Sequence, residues 1–200
     1  MKWSLMALVI GFIIDFFVGD PHGFPHPIIL IGKLISALDR GLRRLFPTTP
    51  KGERTAGAVL WILTVSLSAA VPGLILFLCH HVSPWLRLTV ESIMCWQILA
   101  ARALEKESML VYKALESGDI TASRRAVSMI VGRDTQNLTF EGVTKAAVET
   151  VAENTSDGEI APLFYMALGG PPLLYLYKTV NTMDSMVGYK NDRYLNFGRY

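Results

Sequence analysis

Ile160-Ala-Pro-Leu-Phe-Tyr-Met-Ala-Leu-Gly-Gly-Pro-Pro-Leu-Leu-Tyr-Leu-Tyr-Lys-Thr-Val180 is apolar almost throughout, yet Gly169-Gly-Pro-Pro172 stands at its centre. Two prolines after two glycines break a helix: proline lacks the amide donor and its ring clashes with the preceding turn, while glycine frees the backbone. The first half, Ile160 to Leu168, would be about 14 Å long as helix, against a bilayer core of about 30 Å. The pattern predicts the two half-length arms of a re-entrant hairpin at 160–180. Such a hairpin is tolerated at membrane depth only where other protein covers its turn. A full span kinked at the prolines is the competing reading.

Polar motifs stand at both ends of this run. Glu149-Thr-Val-Ala-Glu-Asn-Thr-Ser-Asp-Gly158 leads into it, and Asn181-Thr-Met-Asp184 follows it. An N-T-x-D pattern thus occurs twice, as Asn154-Thr155-Ser156-Asp157 and as Asn181 to Asp184. If the segment turns back, both feet emerge on one side and can face each other. The carboxylates of Glu149, Glu153, Asp157 and Asp184 are oxygen ligands of the kind Mg²⁺ prefers, and Mg²⁺ sites commonly pair them with substrate phosphates. Glu149 and Glu153 lie one helical turn apart, so their like charges repel unless Lys145 or a metal compensates. The plainer alternative makes Asn154 and Asp157 helix caps and the glutamates a solvated face; the duplication beside an apolar hairpin favours a site.

Other groups can join. Met186-Val-Gly-Tyr-Lys-Asn191 places Lys190 and Asn191 after a glycine turn, as donors suited to phosphate. Arg133 and Asp134 either bind a phosphate and a metal or pair across their loop. His22 and His26 flank a proline-rich turn, where lone histidines are more often hydrogen-bonded scaffold than ligands; Asp15 and Asp20 share that ambiguity. No G-x-x-x-x-G-K-[ST] loop occurs, so use of ATP requires another arrangement.

Composition places this chemistry at a membrane. Of the 200 residues, 51% are hydrophobic and 18% charged, below the roughly 25% charged of soluble domains, and mean hydropathy is +0.35. A net charge of +2 gives no basis for nucleic-acid binding. Cys79 and Cys95 lie in or beside apolar runs without metal-ligand spacing. Residues 3–18 predict a retained, slightly short span, and Gly19 to Pro27 a loop. Ile28 to Phe46 predicts a basic amphipathic helix lying in the headgroup region. Gly57 to Leu78 is uncharged over 22 residues and long enough to cross. A weaker span follows at 85–104, antiparallel to it and continuing as helix to Ser117. Six Lys and Arg fall in Pro21 to Ala56 and none in Cys79 to Pro84, which puts the former loop in the cytoplasm. The helical part at 105–159 then returns there, with a short helix capped at Asp119 or Thr121 and running through Val131. Thr139 caps the last helix, which runs to about Thr155. The expected fold is all-α: one multi-pass membrane domain, a helical bundle with a cytoplasmic helical segment.

Together these motifs resemble the cobalamin-biosynthesis family called CobD or CbiB, the adenosylcobinamide-phosphate synthases. The resemblance is carried by Gly19-Asp-Pro with His26-Pro and Ile31-Gly32, by Val131-Gly-Arg-Asp-Thr135, and by Glu149 to Gly158 with Ala161-Pro-Leu-Phe-Tyr165. Lys178-Thr-Val-Asn-Thr-Met-Asp-Ser-Met-Val-Gly-Tyr-Lys-Asn191 completes it. Family members extend further; their C-terminal part is not in this chain. The resemblance implies an ATP- and Mg²⁺-dependent ligase of the cell membrane, its motifs facing the cytoplasm. Its substrates would be the free carboxylate of adenosylcobyric acid, a corrinoid, and (R)-1-amino-2-propanol phosphate or a similar amino-alcohol phosphate. Membrane lipid, an oligomer or other cobalamin-pathway proteins are further implied partners. Residue chemistry then assigns Glu153, Asp157, Asp184 and Lys190 to catalysis. It gives metal to Glu149, Glu153, Asp157 and Asp184, and substrate to Arg133, Asp134, Asn154, Thr155, Asn181, Asn191 and His26. The alternatives are a membrane enzyme acting on a lipid or prenyl diphosphate, and a non-catalytic sensor or assembly member of the same fold.

Overall fold

A computed structural model describes residues 2–19 and 26–199 and shows helices throughout, with no strand among the described residues. Asp20 and His22 lie outside the described residues. In chain order the helices are α1 (Lys2–Val18), α2 (Pro27–Leu45), α3 (Pro50–Val82) and α4 (Pro84–Trp96). Then follow α5 (Ala101–Glu116), α6 (Ile120–Ser128), α7 (Phe140–Thr155), a π-turn (Ser156–Ile160) and α8 (Ala161–Val187).

Two cores divide the chain. The larger is built by α1 to α4 and α8 around Ile35, Leu60, Met166 and Leu174, and the smaller by α5 to α7 around Val111, Val127, Val143 and Ala146. The small unit is the helical segment expected at 105–159. Its ends follow local rules: Gly118, at φ +73°, stops α5, and the Asp119 carboxylate accepts from the Thr121 and Ala122 amides to start α6. Thr139 caps α7 by accepting from Gly142. The α6 helix ends at Ser128, earlier than the sequence suggested, and a turn carries the chain to Val131.

The apolar run of α8 breaks where Gly169-Gly-Pro-Pro172 predicts. Gly169 and Gly170 leave helical geometry, and Gly170 takes φ 65°, ψ −161°, a combination open in practice to glycine alone. The arms at 161–168 and 171–187 fold back on each other: Tyr165 stacks on Tyr177 at 4.8 Å between ring centroids. Asn181 Nδ2 reaches the Asp157 carboxylate at 3.2 Å. The hairpin is therefore real as chain geometry, and a kinked single helix is excluded.

The 85–104 segment departs from expectation. It is not one helix: α4 ends at Trp96 after 13 residues, and α5 starts afresh at Ala101. The reason lies elsewhere in the chain. Buried Asp15 accepts from the Ala101 amide at 2.9 Å, and buried Glu159 accepts from the Ala100 amide at 2.5 Å. Two carboxylates thus take donors that a continuous helix would have bonded internally. Close packing holds α4 beside α1, where a Cβ on Gly11 would sit 2.7 Å from that of Cys95.

The basic amphipathic helix also differs in its setting. Along α2, Ile31, Ile35, Asp39 and Leu42 are buried in the main core against α3 and α8. Asp39 accepts from Arg43 Nε at 2.6 Å and from Arg193 at 2.8 Å, a contact that holds the Arg193 guanidinium above its ordinary pKa. The Arg43 guanidinium lies 4.2 Å from the centroid of the Phe197 ring, itself 2% exposed. These contacts dock the C-terminal turn, 191–198, onto the bundle, which sequence patterning did not anticipate. By length and composition two helical runs, Pro50–Val82 and Phe140–Val187, could cross a membrane; the second is interrupted by the π-turn and the reversal at Gly169 and Gly170, which leaves Pro50–Val82 as the continuous one.

A Cβ on Gly57 would run into the Phe197 carbonyl, whereas one on Gly41 would meet nothing within 4 Å. Gly57→Ala should therefore lower stability by about 1–3 kcal/mol and expose 191–198 to limited proteolysis. Gly41→Ala, on an open face inside α2, should leave the cleavage pattern unchanged and raise the melting temperature slightly, by the roughly 0.5–1 kcal/mol that alanine gains over glycine in a helix.

Candidate functional site

The π-turn Ser156–Ile160 sets the site. Wider than an α-turn, it interrupts what would be one helix from α7 into α8, and such turns recur at functional positions. Here it places Asp157 toward the second arm of the hairpin. The Asp157 carboxylate accepts from Tyr177 Oη at 3.3 Å and from Asn181 Nδ2 at 3.2 Å. Its main-chain carbonyl accepts from Lys178 Nζ at 3.4 Å. The two N-T-x-D motifs are joined through the first aspartate and the second asparagine.

A cleft of about 630 Å³ opens above this junction. One wall is Glu149, Glu153 and Asn154 of α7 with Arg133 from the preceding loop; the other is Lys178, Asn181, Asp184 and Ser185 of α8. Asp157 lies between them. All four carboxylates expected from the sequence line this one cleft, together with two cations, Arg133 and Lys178. Arg133 donates to Glu149 at 2.8 Å, and Lys145 stands 3.9 Å from the same carboxylate. Glu149 is thereby neutralised by protein, and the salt bridge that the sequence left open for Arg133 forms with Glu149.

The donor set has a definite limit. Among the described residues, no three acidic, cysteine or histidine side chains converge as a ready-made metal cluster. The cleft therefore does not fit a metal cage made wholly of protein. It does fit Mg²⁺ shared with a phosphate, because that ion commonly takes one or two carboxylates and completes its shell with phosphate and water. Asp157, Asp184 and, on the facing wall, Glu153 are the carboxylates of the lining that could supply one or two such ligands.

Other expected residues lie elsewhere. Lys190 and Asn191 are outside the cleft lining, where Gly188 and Tyr189 stand instead; Asn191 Oδ1 accepts from the Tyr194 amide in the C-terminal turn. Asp134 accepts from the Gln136 amide within its own loop. Thr155 donates to the Val151 carbonyl. His26 Nδ1 accepts from the Ile28 amide and so starts α2. Sequence reasoning missed Lys178 and Tyr177, whose positions inside an apolar run read as helix filler. The signal was present: Tyr177, Lys178 and Asn181 fall at i, i+1 and i+4, one helical face beside the second motif.

The model of the CobD/Cbib protein family matches residues 8–200. The chain belongs to that family. Over 97% of its length it is 47% identical to "Cobalamin biosynthesis protein CobD" of Listeria monocytogenes serovar 1/2a, covering 61% of that protein. A protein of the same name from Clostridium tetani is 45% identical over 98% of the chain, again covering 61% of the relative. Another from Geobacter metallireducens is 48% identical over 93% of the chain and 57% of the relative. The chain thus spans about three-fifths of the length of these relatives. No solved structure matches it.

Asn181→Ala removes the bond between the feet of the hairpin and leaves Asp157 with one donor fewer. Hydrogen bonds to charged groups contribute about 1.5–3 kcal/mol, so a fall in melting temperature is expected. Asn154→Ala, which removes only a bond to the Thr150 carbonyl of its own helix, should shift the same curve far less.

Proposed function

We propose that the cleft is the phosphate- and carboxylate-handling part of a ligase in cobalamin biosynthesis. Its reaction joins (R)-1-amino-2-propanol phosphate, or a similar amino-alcohol phosphate, to the free carboxylate of adenosylcobyric acid at the expense of ATP. The observation that carries this reading is the junction of the two motifs at Asp157 and Asn181, with Arg133 and Lys178 on opposite walls. Membership of the CobD/Cbib family and the names of the relatives support the pathway.

A carboxylate is a poor acyl donor, and phosphorylation by ATP–Mg²⁺ would supply a phosphate leaving group. The protein's share of the work is placement and charge. Arg133 and Lys178 would hold phosphate oxygens from opposite sides. Asp157 and Asp184 would bind the shared Mg²⁺. Donors fixed around the Asp157 junction cost little reorganisation when charge develops, which is where preorganised sites gain most. Glu153, exposed on the facing wall, is the candidate to take a proton from the attacking amine. Lys190, outside the cleft, is not assigned a catalytic part.

The same reading places the bundle in the cell membrane as a multi-pass protein. α1, the apolar part of α3 and α4 would be its crossing segments, with the hairpin packed against all three. The excess of Lys and Arg at 21–56 over 79–84 would set the cleft on the cytoplasmic side, where ATP is found.

Reconstituted chain, assayed with adenosylcobyric acid, the amino-alcohol phosphate, ATP and Mg²⁺, should form amide. Asp157→Asn and Asp184→Asn should each lower kcat by about 10²-fold or more, the usual effect of removing an electrostatic stabiliser. Arg133→Met should act chiefly on KM for a phosphate-bearing substrate. Unchanged rates in both aspartate variants would sink the assignment.

A further inference from the structure

A second polar site lies at the other end of the hairpin, away from the cleft. Glu91 of α4 is fully buried. Its Oε2 accepts from Arg87 Nε at 3.3 Å, while its Oε1 has no hydrogen-bond partner among the described residues. That orphan oxygen points at the chain reversal, 3.1 Å from where a Cβ on Gly170 would stand. Ser4 Oγ lies 3.6 Å from the same point. Between them is a cavity of about 240 Å³ lined by Ser4, Gly73, Phe77, Arg87, Glu91 and Gly170.

The chemistry of the cavity is specific. A buried carboxylate oxygen without a donor is costly, and in native proteins it marks a missing partner. The partner has to donate, and a cationic donor offsets the buried charge best. Arg87 spends its Nε on Glu91, and its side chain stays 30% exposed, so the remaining fork can take an anion. One small cavity therefore asks for a donor cation and, a helical turn away, for an anion. A primary ammonium separated by a short linker from a phosphate ester satisfies both.

The surroundings identify the source. Phe77, which lines the cavity, is exposed, as are Leu74, Leu78 and Leu86 next in sequence to lining residues. Trp3 meets Trp85 edge to face at 5.6 Å, and Trp85 is 68% exposed. Tryptophans flanked by exposed aliphatic residues characterise the level of lipid headgroups. We propose that this cavity binds the headgroup of a phospholipid bearing a primary ammonium, phosphatidylethanolamine in class. Its ammonium sits on Glu91 and Ser4 and its phosphate on Arg87. A choline headgroup offers no N–H to Glu91, and a glycerol headgroup brings no positive charge. The inference rests on the membrane placement given above and is independent of the ligase reaction.

The test uses the chain in nanodiscs containing phosphatidylethanolamine, phosphatidylcholine and phosphatidylglycerol, with retained lipid measured by native mass spectrometry. Wild-type protein should keep phosphatidylethanolamine over phosphatidylcholine by about tenfold, the size of one charge-assisted hydrogen bond. Glu91→Gln and Arg87→Met should each reduce that preference. Equal retention of the two lipids by the wild type, a comparison that needs no variant to fold, would overturn the proposal. So would a preference undiminished in Glu91→Gln. Displacement of the lipid by soluble phosphoethanolamine at equal concentration would overturn the lipid source. Lipid retention is read without any amide being formed, so this proposal and the ligase assignment fail separately.

Discussion

Helix ends that fall inside an apolar bundle must be satisfied by protein, because neither lipid nor packed side chains can hydrogen-bond an open amide. Much of this fold follows from that constraint. The break between α4 and α5 is closed by Asp15 and Glu159, which reach the Ala101 and Ala100 amides from 86 and 59 residues away in sequence. Glu159 can do so only because the π-turn presents it to α4 while sending Asp157 toward the cleft. One irregular turn thus serves the core on one side and the candidate site on the other. Straightening it into an α-helix would turn both carboxylates away from their partners.

The hairpin answers the same demand differently. At its reversal Gly170 is buried against α1, α3 and α4, and the second arm starts with two prolines that have no amide hydrogen to lose. Its two feet then lie side by side, which sequence separation alone would not suggest for Asp157 and Asn181.

Much of this could be read from residues in order. Gly169-Gly-Pro-Pro172 announced the reversal, because the conformational restrictions of glycine and proline are local. Thr139, Asp119 and Gly118 announced helix ends for the same reason. The repeated N-T-x-D pattern announced that two stretches belong to one site. What stayed hidden depends on partners far along the chain. Trp85 to Leu104 is apolar enough to pass for one helix, and nothing local reveals that distant carboxylates interrupt it. Arg43 looks like one more cation on a basic face, yet Asp39 and the Phe197 ring turn it inward. The spacing of Lys178 to Asn181 was there to read, but its partner, the Asp157 carbonyl, lies beside it only once the hairpin is folded.

The division into two cores has a mechanical consequence. The cleft walls belong to separately packed bodies, Arg133 and Glu149 to the small three-helix unit, Lys178 and Asp184 to the bundle. A change in the distance between those walls leaves Val111, Val127 and Val143 in contact on one side and Met166 and Leu174 on the other. It works mainly against the hydrogen bonds around Ala100, Asp157 and Asn181 and the short chain crossings beside them. A bound group touching both walls would join the two separately packed bodies across the aperture.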